Sequence, residues 1–114
     1  MRIDFYSFGE VVINGKKYTG DVIIFPNKVK SGWWRKEGHE VNMKDIKGII
    51  ETAPKALIVG TGAFGCVEVK QEVKEFLKSN NIELIAEPTD KACKIYNEKS
   101  QAEEQVVAAL HLTC

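Results

Sequence analysis

The apolar residues of this chain fall first into short runs and later into helical spacing. Ile3, Phe5 and Phe8 lead into Val11-Val12-Ile13, and Asn14-Gly15 follows at once. That pair favours positive φ at both turn positions, so the pattern predicts a tight hairpin with Lys16-Lys17-Tyr18 as its returning strand. Val22-Ile23-Ile24-Phe25 is a continuous apolar run closed by Pro26, the mark of a buried strand. Lys28 to Arg35 reads as a further strand, with Gly38 breaking it.

The period then changes. Asn42 is a suitable N-cap for a helix from Met43 to about Thr52, with Ile46, Ile49 and Ile50 on one face and Pro54 beyond its end. Ala56–Val59 is a second buried strand. Val69, Val73, Phe76 and Leu77 sit at i, i+4, i+7 and i+8, which predicts a helix from about Val69 to Ser79. Asn80-Asn81 is a fitting stop, because asparagine tolerates the left-handed conformation. Ile82–Ala86 is the next strand. Thr89 caps a third helix, about Asp90 to Lys99, lined by Ala92, Ile95 and Tyr96; Ala102-Glu103-Glu104 also favours helix. Val106 to Leu112 suits a helix or a buried strand, and the strand is preferred. Strand, helix and strand across residues 56–86 form a βαβ unit, whose strands are parallel with a right-handed crossover. The expectation is one α/β domain over residues 1–114. Helices pack on a mixed sheet, with an N-terminal β-hairpin layer.

Composition narrows the class. Of 114 residues, 44% are apolar and 28% charged, with sixteen basic and sixteen acidic side chains. That balance lacks the basic surplus of a nucleic-acid binder. No apolar run reaches the roughly 18 residues of a membrane span. Met1-Arg2-Ile3-Asp4-Phe5 has neither signal-peptide nor transit-peptide character, so the expected location is the cytoplasm. Cys66, Cys93 and Cys114 make an odd count without a C-x-x-C pair, which argues against a disulfide framework, a zinc knuckle or a dithiol site.

The chemistry concentrates at Gly60-Thr61-Gly62-Ala63-Phe64-Gly65, a G-x-G-x-x-G pattern after a strand and before a helix. With Glu87 ending the next strand, it suggests a dinucleotide site. Against this, Cys66-Val67-Glu68 intervene before the helical period begins, Glu68 puts negative charge near an anion site, and a second mononucleotide half is absent. The simpler account is a turn that needs glycine for its geometry. Between the two stands a small-ligand pocket: loop amides of Gly60 to Gly62 with the Thr61 and Thr89 hydroxyls, gathered at the carboxyl ends of parallel strands, while Asp21, which precedes an apolar strand, caps a turn or points its carboxylate into the pocket. No cofactor is expected.

Other residues carry weaker signals. In a strand, Trp33 and Trp34 point to opposite faces, one into the core and one toward an interface. His39, flanked by Glu37 and Glu40, is either a solvated histidine or a general base. His111 and Cys114 form an H-x-x-C pair that would need two more ligands, so no metal site is expected. Cys93 reads as a small buried hydrophobe, or as a thiol near a helix N-terminus.

The segments Tyr18-Thr19-Gly20-Asp21-Val22-Ile23-Ile24 with Pro26, Trp34, Leu57-Ile58-Val59-Gly60-Thr61-Gly62, Asn81-Ile82-Glu83-Leu84, Pro88-Thr89, Ala92, Tyr96-Asn97 and Val106 to His111 together resemble a known family. It includes the adipogenesis-associated domain-containing protein of animals, similar in its ending to His111-Leu112-Thr113-Cys114, and the mitochondrial assembly factor of respiratory complex I. The resemblance covers essentially the whole chain. It implies a five-stranded mixed sheet with the last strand antiparallel to the others, no established enzymatic activity, and assembly or regulatory roles through protein partners. Gly65 lies outside the family pattern, and the lack of a targeting segment argues against a complex I role. The leading expectation is a non-enzymatic, partner-binding domain, monomeric or a small homo-oligomer, with Trp33 and Trp34 toward the partner and a polar-ligand pocket at Asp21, Gly60, Thr61, Gly62 and Thr89. The alternatives are a small-molecule enzyme in that pocket, with Asp21 or His39 as acid and base, and a dinucleotide-binding module.

Overall fold

Alternation along three strands divides the interior into two cores. In β4 (Val22–Phe25), β7 (Ala56–Thr61) and β10 (Val106–His111), side chains point to opposite faces with period two. Ile23, Phe25, Leu57, Val59, Val107 and Ala109 fill one face, and Val22, Ile24, Ala56, Ile58, Val106, Ala108 and Leu110 fill the other. Strands buried on both faces need layers on both sides. The computed structural model describes residues 1–35, 37–102 and 105–114. The helix-favouring Glu103 and Glu104 lie outside the described residues.

The main sheet has the order β5-β4-β10-β7-β9, with β5 at Lys28–Ser31 and β9 at Glu83–Glu87. One face is covered by α2 (Gln71–Ser79), through Val73 and Leu77, and by a 3-10 turn (Met43–Ile46) running into the one-turn helix α1 (Lys47–Ile50). The other face is covered by α3 (Thr89–Ala102), through Ala92, Cys93 and Tyr96, and by an antiparallel sheet of β1 (Ile3–Ser7), β2 (Glu10–Ile13) and β3 (Lys16–Tyr18). The β2–β3 turn has Asn14 at φ 48° and Gly15 at φ 79°, as the hairpin signal requires. Among the described residues, no helix is long and apolar enough to cross a membrane.

The structure corrects the predicted strand directions. β10 is central, runs parallel to β7 and is antiparallel only to β4. The opposed strand of the sheet is β4, because a tight turn joins it to β5, whereas α2 and α3 are crossovers that return the chain to parallel strands. Boundaries shift as well. β5 stops at Ser31, so Trp33 and Trp34 lie beyond it. Glu68–Val69 forms a short strand, β8, parallel to β6 (Glu40–Val41), and α2 begins only at Gln71. The helix expected over Met43–Thr52 is tighter and shorter. The Asn42 N–H donates to Asp45 Oδ2 at 2.7 Å at its start, and Ala53 adopts φ 48° after its end.

Candidate functional site

Strand register alone brings together two polar residues 90 positions apart. Leu110 lies opposite Val22, so His111 falls beside Asp21 at the end of the sheet where β5, β7, β9 and β10 finish. Asp21 Oδ2 is 2.7 Å from His111 Nδ1, and Asp21 Oδ1 accepts the Leu112 N–H at 2.9 Å. Arg35 joins them, its side chain only 5% exposed. Nη1 lies 3.0 Å from Asp21 Oδ2 as an ion pair, though this nitrogen meets no hydrogen-bond geometry. Arg35 Nε and Nη2 donate to the Gly38 carbonyl at 3.1 and 3.0 Å, and the guanidinium stacks 4.6 Å over the Trp33 ring.

Donor arithmetic fixes the histidine tautomer. Arg35 Nη2 is also 3.0 Å from His111 Nδ1, but a guanidinium only donates and a carboxylate only accepts. A contact of 2.7 Å to an acceptor-only carboxylate oxygen needs a proton on Nδ1, so we assign that proton to Asp21. On the other side of the ring the Thr113 hydroxyl lies a long 3.4 Å from Nε2, and the exposed His39 ring stands edge-on, 6.1 Å between centroids. The arrangement resembles a base and its orienting carboxylate. Its visible work is mechanical: Asp21 ties β10 to the segment after β5, and its backbone carbonyl accepts the Gly32 and Trp33 amides.

The glycine loop is filled by the protein itself. The Gly62 N–H donates to Thr89 Oγ1 at 2.8 Å, and that hydroxyl donates to the His111 carbonyl at 2.6 Å. The Ala63 N–H goes to the Thr113 carbonyl at 2.7 Å, and the Gly65 N–H to the Gly62 carbonyl at 3.2 Å. Thr89 is fully buried. A Cβ on Gly60 would stand 2.9 Å from both Leu110 Cδ2 and Thr89 Oγ1. Gly62 has φ 103°, and a Cβ there would stand 2.6 Å from the Cys114 carbonyl oxygen. These glycines serve turn geometry and close approach, and the Gly62 amide and Thr89 hydroxyl are already engaged. We expect Gly62→Ala to lose about 2 kcal/mol in urea denaturation, from backbone strain and the clash together.

The five residues expected around one pocket therefore separate. Thr61 lines a cleft of about 640 Å³ with Gly65, Glu87 and Lys74 at the ends of β7 and β9. Gly60, Gly62 and Thr89 pack behind it. Asp21 faces His111 and Arg35. The two tryptophans separate too. Trp33 is 6% exposed and its Nε1 donates to the Asp45 carbonyl at 3.2 Å, which makes it core and removes it from any partner surface. Trp34 is 74% exposed. Phe64, 75% exposed, and Phe8, 59% exposed, meet with ring centroids 6.3 Å apart. Sequence reasoning missed Arg35, whose contacts with Asp21 and His111 cross long stretches of the chain, and the Phe8–Phe64 pair, which joins two turns. Among the described residues, no group of three metal-ligating side chains converges.

Cys93 is the buried hydrophobe of the two readings, and burial pushes its thiol up to about 12, with the Asp90 charge adding to the effect. Cys66 and Cys114 are exposed. A maleimide at neutral pH should label these two in the folded protein, and mass spectrometry should find Cys93 modified only after unfolding.

Comparison with known proteins places this architecture. A solved conserved hypothetical protein from Pyrococcus horikoshii superposes with a TM-score of 0.84 at 26% identity, over 100% of both chains. The Rpa2829 protein of Rhodopseudomonas palustris matches at 27% identity and a TM-score of 0.77, over 96% of this chain and 81% of that one. A Mth938-like domain from Bordetella pertussis shares the fold, with a TM-score of 0.68 at 19% identity over 97% of this chain and 85% of that one. The family model described as "Protein of unknown function (DUF498/DUF598)" matches residues 3–111, and the chain belongs to that family.

Proposed function

We propose that this chain is a non-enzymatic protein-binding domain of the assembly or regulatory kind, and that it meets its partner through the aromatic side chains at one end of the main sheet. The observation that carries the reading is the exposure of Trp34, Phe64 and Phe8 on segments whose backbones are pinned. Trp34 stands between buried Trp33 and buried Arg35, Phe64 sits in the turn from Gly62 to Gly65, and Phe8 precedes Gly9, whose N–H donates to the Leu112 carbonyl at 2.8 Å. Exposed aromatics held in place lose little entropy on binding and are the residue types that dominate interface energies. The Asp21–His111–Arg35 cluster supports this reading as a clasp for the segment that presents Trp34. The balance of sixteen basic and sixteen acidic side chains favours a protein partner over nucleic acid.

A second reading keeps one observation of its own. Thr61, Glu87 and Lys74 line a cleft of about 640 Å³ beyond the carboxyl ends of parallel β7 and β9, where α/β sheets hold small polar ligands. Affinity capture with quantitative mass spectrometry separates the two. A partner enriched by the wild type should fall at least tenfold with Trp34→Ser and with Phe64→Ser, and stay with Thr61→Val. Loss with Thr61→Val alone would favour the cleft, and equal recovery by all variants would end the aromatic reading.

A further inference from the structure

Three clefts on the α2 face share their walls. One, of about 400 Å³, lies between α1 and α2, with half-buried Met43, Ile50 and Phe76 as its apolar floor. It shares Met43 and Lys44 with a polar cleft of about 360 Å³, and Ile50 with another of about 350 Å³ that reaches Asn81 and Ile82. The three make one groove across the layer formed by the 3-10 turn, α1 and α2. None of the exposed aromatics Trp34, Phe64 and Phe8 lines any of its three sections.

Charge divides this groove lengthwise. The apolar section is rimmed by exposed Lys44 and Lys47, with Glu51 as the one carboxylate lining it. The polar section is lined by three carboxylates, Glu37, Glu40 and Glu72, with Lys44 at its border with the apolar section. Glu40 is shared with Lys70, 3.3 Å away, whereas Lys44, Lys47, Glu37 and Glu72 have no ion pair among the described residues. α1 itself is a single turn, too short to close the layer between the 3-10 turn and α2.

The geometry points to an amphipathic helix of another protein as the occupant, with its apolar stripe on Met43, Ile50 and Phe76, its acidic end over Lys44 and Lys47 and its basic end over Glu37, Glu40 and Glu72. The apolar floor supplies burial, as in other helix-in-groove recognition, and the unpaired charges fix direction. A helix with acidic residues in its first turn and basic residues in its last is also favoured by its own macrodipole. About 15 residues span roughly 22 Å, which fits within a molecule of 35 × 30 × 20 Å. This surface and the aromatic end are independent, so either can fail without the other.

The test uses a designed peptide of about 15 residues with Leu and Phe at i, i+3/i+4 and i+7, Glu in the first turn and Lys in the last. Fluorescence anisotropy gives affinity, and amide shifts of the labelled full chain give location. We expect saturable binding, with shifts confined to the segments around Met43, Lys47, Ile50 and Phe76. Lys44→Glu/Lys47→Glu, two exposed positions, should weaken it at least tenfold, and a peptide with Lys in place of the first-turn Glu should recover most of that loss on this variant. Trp34→Ser should bind as the wild type does. The inference is overturned by equal binding of a peptide with its apolar stripe scrambled, by no saturable binding, or by indifference to the lysine reversal. A concentration-dependent dimer abolished by the same reversal would overturn it too, since the occupant would then be a second copy.

Discussion

Asp21→Ala should cost about 3–5 kcal/mol in urea denaturation, the largest loss expected from any single polar side chain here. The substitution removes the acceptor of the Leu112 N–H and of the His111 Nδ1 proton, and leaves the Arg35 guanidinium without its carboxylate. Removing one member of a buried ion pair is severe because the other stays buried and uncompensated. The bare amide adds the desolvation cost of an unsatisfied donor. Asp21→Asn should fall between, since a carbonyl oxygen remains for Leu112 while the second position meets two donors with at most a neutral partner. A loss under about 1 kcal/mol for Asp21→Ala would mean that the clasp holds nothing the fold needs.

Thr89→Val is the second large effect, at about 2–4 kcal/mol, and it tests the filled glycine loop. Valine keeps the volume and removes the hydroxyl, so the Gly62 N–H and the His111 carbonyl both lose a buried partner. Thr89→Ser keeps the hydroxyl, loses one methyl and should cost only about 1 kcal/mol. If valine and serine were equally tolerated, the Gly62 amide would be finding another acceptor, and the loop would be open to a ligand after all. Chemical denaturation of the two variants side by side decides between these.

The residues that were legible in sequence are those whose signal is local. Val22–Phe25, Ala56–Val59, the Asn14-Gly15 turn and the α2 stripe of Val73 and Leu77 follow from spacing and turn chemistry, which act within a few residues. Val106–His111 was ambiguous because a strand buried on both faces has no polar side to show its period. Its direction depends on which strands flank it, and the order β4-β10-β7 lies outside any local pattern. The candidate site was harder still. Asp21 stands out in the sequence, but its Arg35 and His111 partners sit 14 and 90 residues away, and a one-residue change of register would turn His111 to the other face. His111 read instead as part of a terminal H-x-x-C pair. Gly60 and Gly62 belong to a motif, and Thr89 follows the next parallel strand, a combination that looks the same in sequence whether a ligand or the chain itself fills the loop. Only the Thr89 and Thr113 contacts distinguish the two.

The central proposal, resting on the clasp, the pinned turns and the exposed aromatics, is that Trp34 enters an interface. Its fluorescence, excited at the red edge where tyrosine does not absorb, reports this most directly, because Trp33 and Trp34 are the chain's two tryptophans and Trp33→Phe leaves Trp34 as the sole tryptophan. In the free protein its emission should be that of an indole in water. Titration with the captured partner should shift it to the blue, saturating at a fixed stoichiometry, and Phe64→Ser should weaken the titration at least tenfold. Emission that stays water-like when the partner is saturated would contradict the account and place the partner surface elsewhere on the molecule.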